Sequence, residues 1–159
     1  MVLFPGASIA ERRWGRERFR DLAMRLRQAE GRVVVVGGGG DRSDGDYICG
    51  DGVGLNLAGK TSLLETAAVL SRATALVSGD SGLLHIAVGL GIPTVSLFGP
   101  GIAAKWAPRG AQHIVLDRRL ACSPCTRFGS TPRCTRGAEC LAAIGVDEVA
   151  AAVFRILRQ

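Results

Sequence analysis

The sequence predicts an α/β domain built on a doubly wound parallel sheet, and three observations predict it. Short aliphatic runs alternate with amphipathic stretches, the links between them are short and glycine-rich, and the strand from Arg32 to Val36 holds four valines in succession. Alternating strand and helix with short connections selects right-handed crossovers within one parallel sheet. An unbroken run such as Val33-Val34-Val35-Val36 suits a strand covered on both faces. The 159 residues are 47% hydrophobic, enough for one core. No linker, repeat or low-complexity tract divides them, so residues 1–159 read as a single domain.

The elements follow in order. Val2-Leu3-Phe4 is a strand stopped by Pro5-Gly6. Residues 16–29 form a helix, because Phe19, Leu22, Ala23 and Leu26 recur at i, i+3, i+4 and i+7 and Gly31 lies just past its end. The strand from Arg32 to Val36 runs into four glycines, Gly37 to Gly40. Asp41 to Gly54 is polar and glycine-rich and reads as loop with a short helix around Tyr47; Leu55-Asn56-Leu57 is a short strand. Thr61 or Ser62 caps a helix over 63–72, with Glu65 at capping-box spacing from Ser62. Ala75 to Ser78 is the next strand, followed by Gly79-Asp80-Ser81-Gly82 and a helix to about Leu90. Thr94 to Phe98 is a strand, Gly99-Pro100-Gly101 turns the chain, and His113 to Leu116 is one more strand. Beyond a cysteine-containing loop over 120–141, residues 146–158 form a last amphipathic helix through Val149, Val153, Ile156 and Leu157.

The net charge of +6 favours anionic partners such as nucleotides, phosphorylated glycans or an acidic membrane surface. Its basic residues are spread along the chain, only 5% of residues are aromatic, and no DNA-reading motif accompanies them, which argues against nucleic acid. No apolar run approaches the ~20 residues of a membrane span. Met1 to Gly6 lacks the basic leader of a secretion signal, so a cytoplasmic location is expected.

In an open parallel sheet, ligands bind outside the carboxyl ends of the strands. That rule selects loops 5–12, 37–41, 58–62, 79–82 and 99–101, all rich in Gly, Ser, Thr or charge. The most specific is Gly79-Asp80-Ser81-Gly82-Leu83-Leu84-His85. Ser81 can cap the following helix, leaving N–H groups near Gly82 and Leu83 free for an anion at the positive end of the helix dipole. His85, one turn further on the same face, can donate to a phosphate oxygen. In the plainer alternative Asp80 and Ser81 only cap the helix and His85 is a buried, hydrogen-bonded histidine. The protease-like string Gly79-Asp80-Ser81-Gly82 is set aside, because a strand-to-helix crossing in a parallel sheet does not suit that chemistry. Pro5 to Trp14 places Ser8 and Arg12 after a small-residue turn, suited to a pyrophosphate. Asp41, behind four glycines, is an acid able to reach a ribose hydroxyl, although the spacing is not that of a dinucleotide fingerprint.

Taken together, the strings Pro5-Gly6-Ala7-Ser8, Arg12-Arg13-Trp14, Val33 to Asp41, Leu57 to Leu63, Asp80-Ser81-Gly82 with His85 and Ala87, and Pro93 with Leu97 to Pro100 resemble the C-terminal domain of glycosyltransferase family 9, the ADP-heptose:lipopolysaccharide heptosyltransferases. The resemblance implies a Rossmann-like half of a GT-B enzyme, in which two such domains face each other across a cleft. It implies Ser8, Arg12, Ser81, Gly82 and His85 at the donor diphosphate, Asp80 toward the sugar, Asp41 at the ribose and Thr61 near the base. The implied chemistry is inverting transfer, with a carboxylate deprotonating the acceptor hydroxyl and no metal required at the leaving diphosphate. The expected donor is ADP-heptose or a close relative and the acceptor a lipopolysaccharide core, at the inner face of the inner membrane. Arg12 stands where the family has Lys, which keeps the charge and changes the contact geometry. The family's N-terminal acceptor domain, expected to supply the catalytic base, has no counterpart in these 159 residues, so donor binding without transfer is expected of this chain alone.

Cys122, Cys125, Cys134 and Cys140 follow C-x2-C-x8-C-x5-C, with Cys49 apart. Four thiols this close suit structural zinc, but the spacing departs from ordinary zinc ribbons; free thiols and a disulfide stay open, the last disfavoured by a cytoplasmic location. Other readings are a non-catalytic nucleotide- or glycan-binding module, a UDP-sugar GT-B enzyme fragment, and a zinc-stabilised nucleic-acid binder.

Overall fold

In the computed structural model, which describes residues 1–158, six parallel strands form one sheet in the order β3-β2-β1-β4-β5-β6. The strands are β1 (Val2–Phe4), β2 (Val34–Val35), β3 (Leu55–Asn56), β4 (Leu76–Gly79), β5 (Thr94–Phe98) and β6 (His113–Asp117). The helices are α1 (Arg16–Gln28), α2 (Arg42–Cys49), α3 (Leu63–Ser71), α4 (Gly82–Gly89), α5 (Ala103–Trp106), α6 (Glu139–Ala142) and α7 (Val146–Leu157). From β1 in the middle, the chain winds outward through β2 and β3, then returns to lay β4 on the other side of β1. The expected doubly wound sheet is present, and its strand order reverses between β1 and β4.

Successive strand residues point to opposite faces, and both faces are covered. Leu3, Val35, Val77, Val95 and Leu97 join Phe19, Leu22 and Leu26 of α1, Ile48 of α2 and Val149 and Val153 of α7 in the larger core. Val2, Val36 and Leu76 pack on the opposite face with Leu70 of α3 and Ala87 of α4. Each fully buried aliphatic side chain contributes about 1.5–3 kcal/mol, so this two-sided burial is the main source of stability. The four α1 residues at helical spacing are the four that α1 buries. Ser62 caps α3 as expected: its hydroxyl accepts the Glu65 N–H at 3.3 Å while its own N–H donates to the Glu65 carboxylate at 2.7 Å. Burial pulls the His113 imidazole below its ordinary pKa, favouring the neutral ring whose Nδ1 lies 3.0 Å from Thr94 Oγ1 on the neighbouring strand.

Four elements differ most from the sequence reading. The segment expected to be loop with a short helix around Tyr47 holds the eight-residue helix α2. Gly45, which argues against a helix, is there for packing: a methyl at that position would collide with the Asn56 side chain of β3. The strand expected from Arg32 to Val36 is ladder-paired only over Val34–Val35, although Val33 and Val36 remain buried. Short helices α5 and α6 lie where no periodicity was read, being only four residues each. Among the described residues, no helix is long and apolar enough to cross a membrane.

Candidate functional site

The reversal between β1 and β4 opens a crevice at the carboxyl ends of the strands, where the loops that follow these strands diverge. The two loops stay close at the strand ends: a Cβ on Gly79 would lie 3.1 Å from the Arg12 carbonyl oxygen. Between them lies a cleft of about 1170 Å³, a generous volume beside the ~300–1,000 Å³ of ordinary small-molecule sites. Ser8, Arg12, Asp41, Asp80, Ser81, Gly82 and His85 all line it. Seven of the eight residues expected to bind a donor therefore share one wall system, although they come from three separate loops and one helix.

The N-terminus of α4 forms one side. Ser81 Oγ accepts the Leu84 N–H at 3.2 Å and lies 2.8 Å from the hydroxyl of the buried Ser78. One of the first-turn N–H groups is thus satisfied by the cap, while those of Gly82 and Leu83 have no intrahelical partner and sit on residues that line the cleft. Unpaired donors and the dipole end together are the features that suit a helix N-terminus to an anion. His85 is exposed, not a buried, hydrogen-bonded histidine, and its ring meets Trp106 edge-on with centroids 6.2 Å apart.

Arg12 forms the other side. Its Nη1 lies 3.3 Å from Asp80 Oδ2 and its Nη2 donates to Thr131 Oγ1 at 3.4 Å, both long contacts, and its buried Nε has no partner among the described residues. A guanidinium carries five donors in a rigid fork, so Arg12 keeps hydrogen-bonding capacity for an incoming anion. The loop that presents it is fixed two residues later by Trp14, which is 2% exposed and donates its indole N–H to the Ile144 carbonyl at 2.9 Å. Asp80 is seated against the turn after β5, where a methyl on Gly101 would collide with its carboxylate; only a residue without Cβ fits that approach.

Asp41 is less free than its expected role suggests. Its carboxylate accepts the Gly38 N–H at 3.0 Å and pairs with Arg13 at 3.3 Å, and a methyl on Gly6 would come within 2.6 Å of it. Thr61 is not on the cleft wall: its hydroxyl pairs with that of Thr66 at 2.9 Å inside the α3 cap. Leu63, 64% exposed at the start of α3, faces the cleft instead. Sequence reasoning also passed over Arg13, quoted only as the neighbour of Arg12, and the far rim formed by Lys105 and the half-exposed Trp106. A lysine and a tryptophan on a four-residue helix give no periodic signal; the basic pair Arg12-Arg13 was the one available hint.

The four loop cysteines come together elsewhere. Cys122, Cys125, Cys134 and Cys140 line one smaller cavity of about 170 Å³, and all five cysteines of the described residues are unbridged. Burial, with the nearby Cys125, pushes the Cys140 thiol pKa up. No group of three or more metal-ligating side chains among the described residues is close enough to hold an ion.

The family model for glycosyltransferase family 9 (heptosyltransferase) matches residues 1–135. Lipopolysaccharide heptosyltransferase 2 of Escherichia coli K12 is 33% identical over 103 residues, which is 60% of this chain and 30% of that protein. Lipopolysaccharide heptosyltransferase 1 of Pseudomonas aeruginosa is 28% identical over 128 residues, covering 80% of this chain and 36% of its own length. The solved structure of the E. coli ADP-heptose lipopolysaccharide heptosyltransferase II superposes with a TM-score of 0.82 at 25% identity, covering 99% of this chain and 46% of that one. The chain spans less than half the length of these relatives.

Proposed function

The chain belongs to glycosyltransferase family 9, and from that premise we propose that its cleft holds the nucleotide-activated sugar, an ADP-linked heptose, of an inverting transferase that builds the lipopolysaccharide core. One observation carries the reading. The open N-terminus of α4 and the underused guanidinium of Arg12 face one cleft at the sheet's switch point, where a diphosphate meets a helix dipole and a fixed cation together.

In this reading Gly82 and Leu83 N–H groups, Arg12, Ser8 and His85 hold the diphosphate, with Ser81 keeping the helix end in place. Asp80, paired with Arg12, orients that guanidinium and faces the sugar. Asp41 marks the ribose end, its remaining acceptor capacity turned to a hydroxyl, and Leu63 takes the place expected of Thr61 beside the base. The same donors that bind the diphosphate become more effective as negative charge develops on it during glycosidic bond cleavage, which stabilises the leaving group without a metal. A carboxylate that deprotonates the acceptor hydroxyl belongs to a second domain facing this cleft, and the acceptor is a lipopolysaccharide core at the inner face of the inner membrane. The chain's positive charge suits that phosphorylated, membrane-bound partner.

The test is a calorimetric titration of the chain with ADP, UDP and GDP. Saturable binding that favours ADP is expected. Equal weak heats for all three nucleotides would overturn the donor-site reading, and a preference for UDP would move the chain to a different sugar nucleotide.

A further inference from the structure

The cleft continues past the residues that meet the nucleotide in the donor-site reading. Along the sheet order β3-β2-β1-β4-β5, the segments after successive strands bring Leu63, then Asp41, then Ser8 and Arg12, then Ser81 and His85, and last Lys105 and Trp106 to the same cleft. A nucleotide-linked sugar is itself a linear series of base, ribose, diphosphate and sugar. With the ribose at Asp41 and the diphosphate at the switch point between β1 and β4, the fourth part falls beside the segment after β5.

Trp106, on that segment, is not there to fill a core. α5 buries none of its residues and Trp106 is 49% exposed, whereas the chain's other tryptophan, Trp14, is 2% exposed. Lone apolar side chains on a convex surface need no explanation, but this one lines a ligand-sized cleft. Its ring is held in place. Lys105 Nζ lies over it, 4.9 Å from the centroid, and His85 meets it edge-on. The backbone is fixed too, since the N–H groups of Lys105 and Trp106 both donate to the Ile102 carbonyl at 3.0 Å. The turn that leads into α5 abuts Asp80, whose carboxylate leaves no room for a Cβ on Gly101. Asp80 is the acid that faces the sugar in the donor-site reading, so α5 begins beside the sugar end of the cleft.

We propose that Trp106 is the platform on which the donor sugar stacks, and that it reads the sugar and not the nucleotide. This rests on the donor-site reading. One face of a pyranose ring presents C–H groups that are apolar and slightly positive, and an indole face is apolar and negative, so the two are complementary. Lys105 braces the ring, and its ammonium carries three donors for the hydroxyls around the sugar's edge. Adenine, the other flat ring of such a donor, lies beyond Asp41, and the segments after β1 and β4 separate it from Trp106.

The test uses the chain's own fluorescence. Acrylamide quenches exposed indoles, and with Trp14 buried the quenching of the unsubstituted chain reports Trp106. Saturating ADP-heptose is expected to protect Trp106 from acrylamide, and saturating ADP to leave it accessible. Calorimetry should show Trp106→Ala weakening ADP-heptose roughly tenfold, the size of a ring-stacking contact, and ADP by less than about twofold, with Trp106→Phe keeping most of the heptose affinity. Equal protection by the two ligands would overturn the proposal by putting the adenine on Trp106. Bound ADP-heptose that leaves Trp106 accessible, or equal losses of both ligands in Trp106→Ala, would overturn it as well. Failure of the unsubstituted chain to bind ADP at all would remove the donor-site reading, and this platform with it.

Discussion

Replacing Arg12 by alanine is expected to weaken ADP binding by on the order of 100-fold, because each hydrogen bond to a charged group contributes about 1.5–3 kcal/mol and the guanidinium, held at the switch point by Asp80, lines the same cleft as the open end of α4. The loss has a second source. Arg12→Ala leaves the Asp80 carboxylate unpaired in the cleft, so a diphosphate then meets a like charge as well as a missing donor. Asp80→Asn reverses that sign: Arg12 loses an ion pair, but the repulsion toward the diphosphate also goes, so affinity for ADP should change by less than about fivefold. Arg12→Lys falls between the two, since it keeps the charge and gives up the planar fork. Calorimetry on the three variants separates these outcomes. Equal losses for Arg12→Ala and Asp80→Asn would mean that the pair acts only as a structural clasp.

The second large effect is on stability. Trp14→Ala should cost roughly 3–5 kcal/mol, as buried aromatic truncations do, out of a total of about 5–15 kcal/mol for a domain of this kind. Trp14 is 2% exposed, meets Phe19 edge-on at 5.1 Å and 86°, and satisfies the Ile144 carbonyl at the entrance to α7. The substitution therefore opens a cavity and orphans an acceptor at once. Trp14→Phe keeps most of the volume and should lose only about 1 kcal/mol, the hydrogen bond. Urea denaturation reads both; a loss below 1 kcal/mol for Trp14→Ala would show that the loop before α1 is not anchored through this side chain. The tripeptide Arg12-Arg13-Trp14 thus divides its labour between cations in the cleft and an anchor in the core.

Much of this was legible in the residues. The ends of Thr94 to Phe98 and Val2-Leu3-Phe4 are legible because Pro or Gly bounds them, and the small hydroxyls of Thr94 and Ser96 do not stop β5 from being buried along its whole length. The α1 face was legible from spacing alone. α2 was not, because its helix depends on Gly45 fitting against Asn56 and on burial of Ile48 and Cys49, a tertiary demand that overrides weak propensity. In the cleft, the rule that ligands sit at strand carboxyl ends found the loops, and cap geometry found Ser81. The same rule puts Thr61 near the base, whereas its hydroxyl pairs with Thr66 beside the capping box and the exposed Leu63 lines the cleft. The thiol spacing is visible in sequence, whereas the contact from Arg12 to Thr131 joins residues 119 positions apart.

The measurement that tests the central claim most directly is a crystal structure of the chain grown with saturating ADP. The account predicts the diphosphate within hydrogen-bond distance of the Gly82 and Leu83 N–H groups and the Arg12 guanidinium, with the ribose toward Asp41. A diphosphate bound away from the N-terminus of α4, or a cleft left empty at saturating ADP, would contradict it.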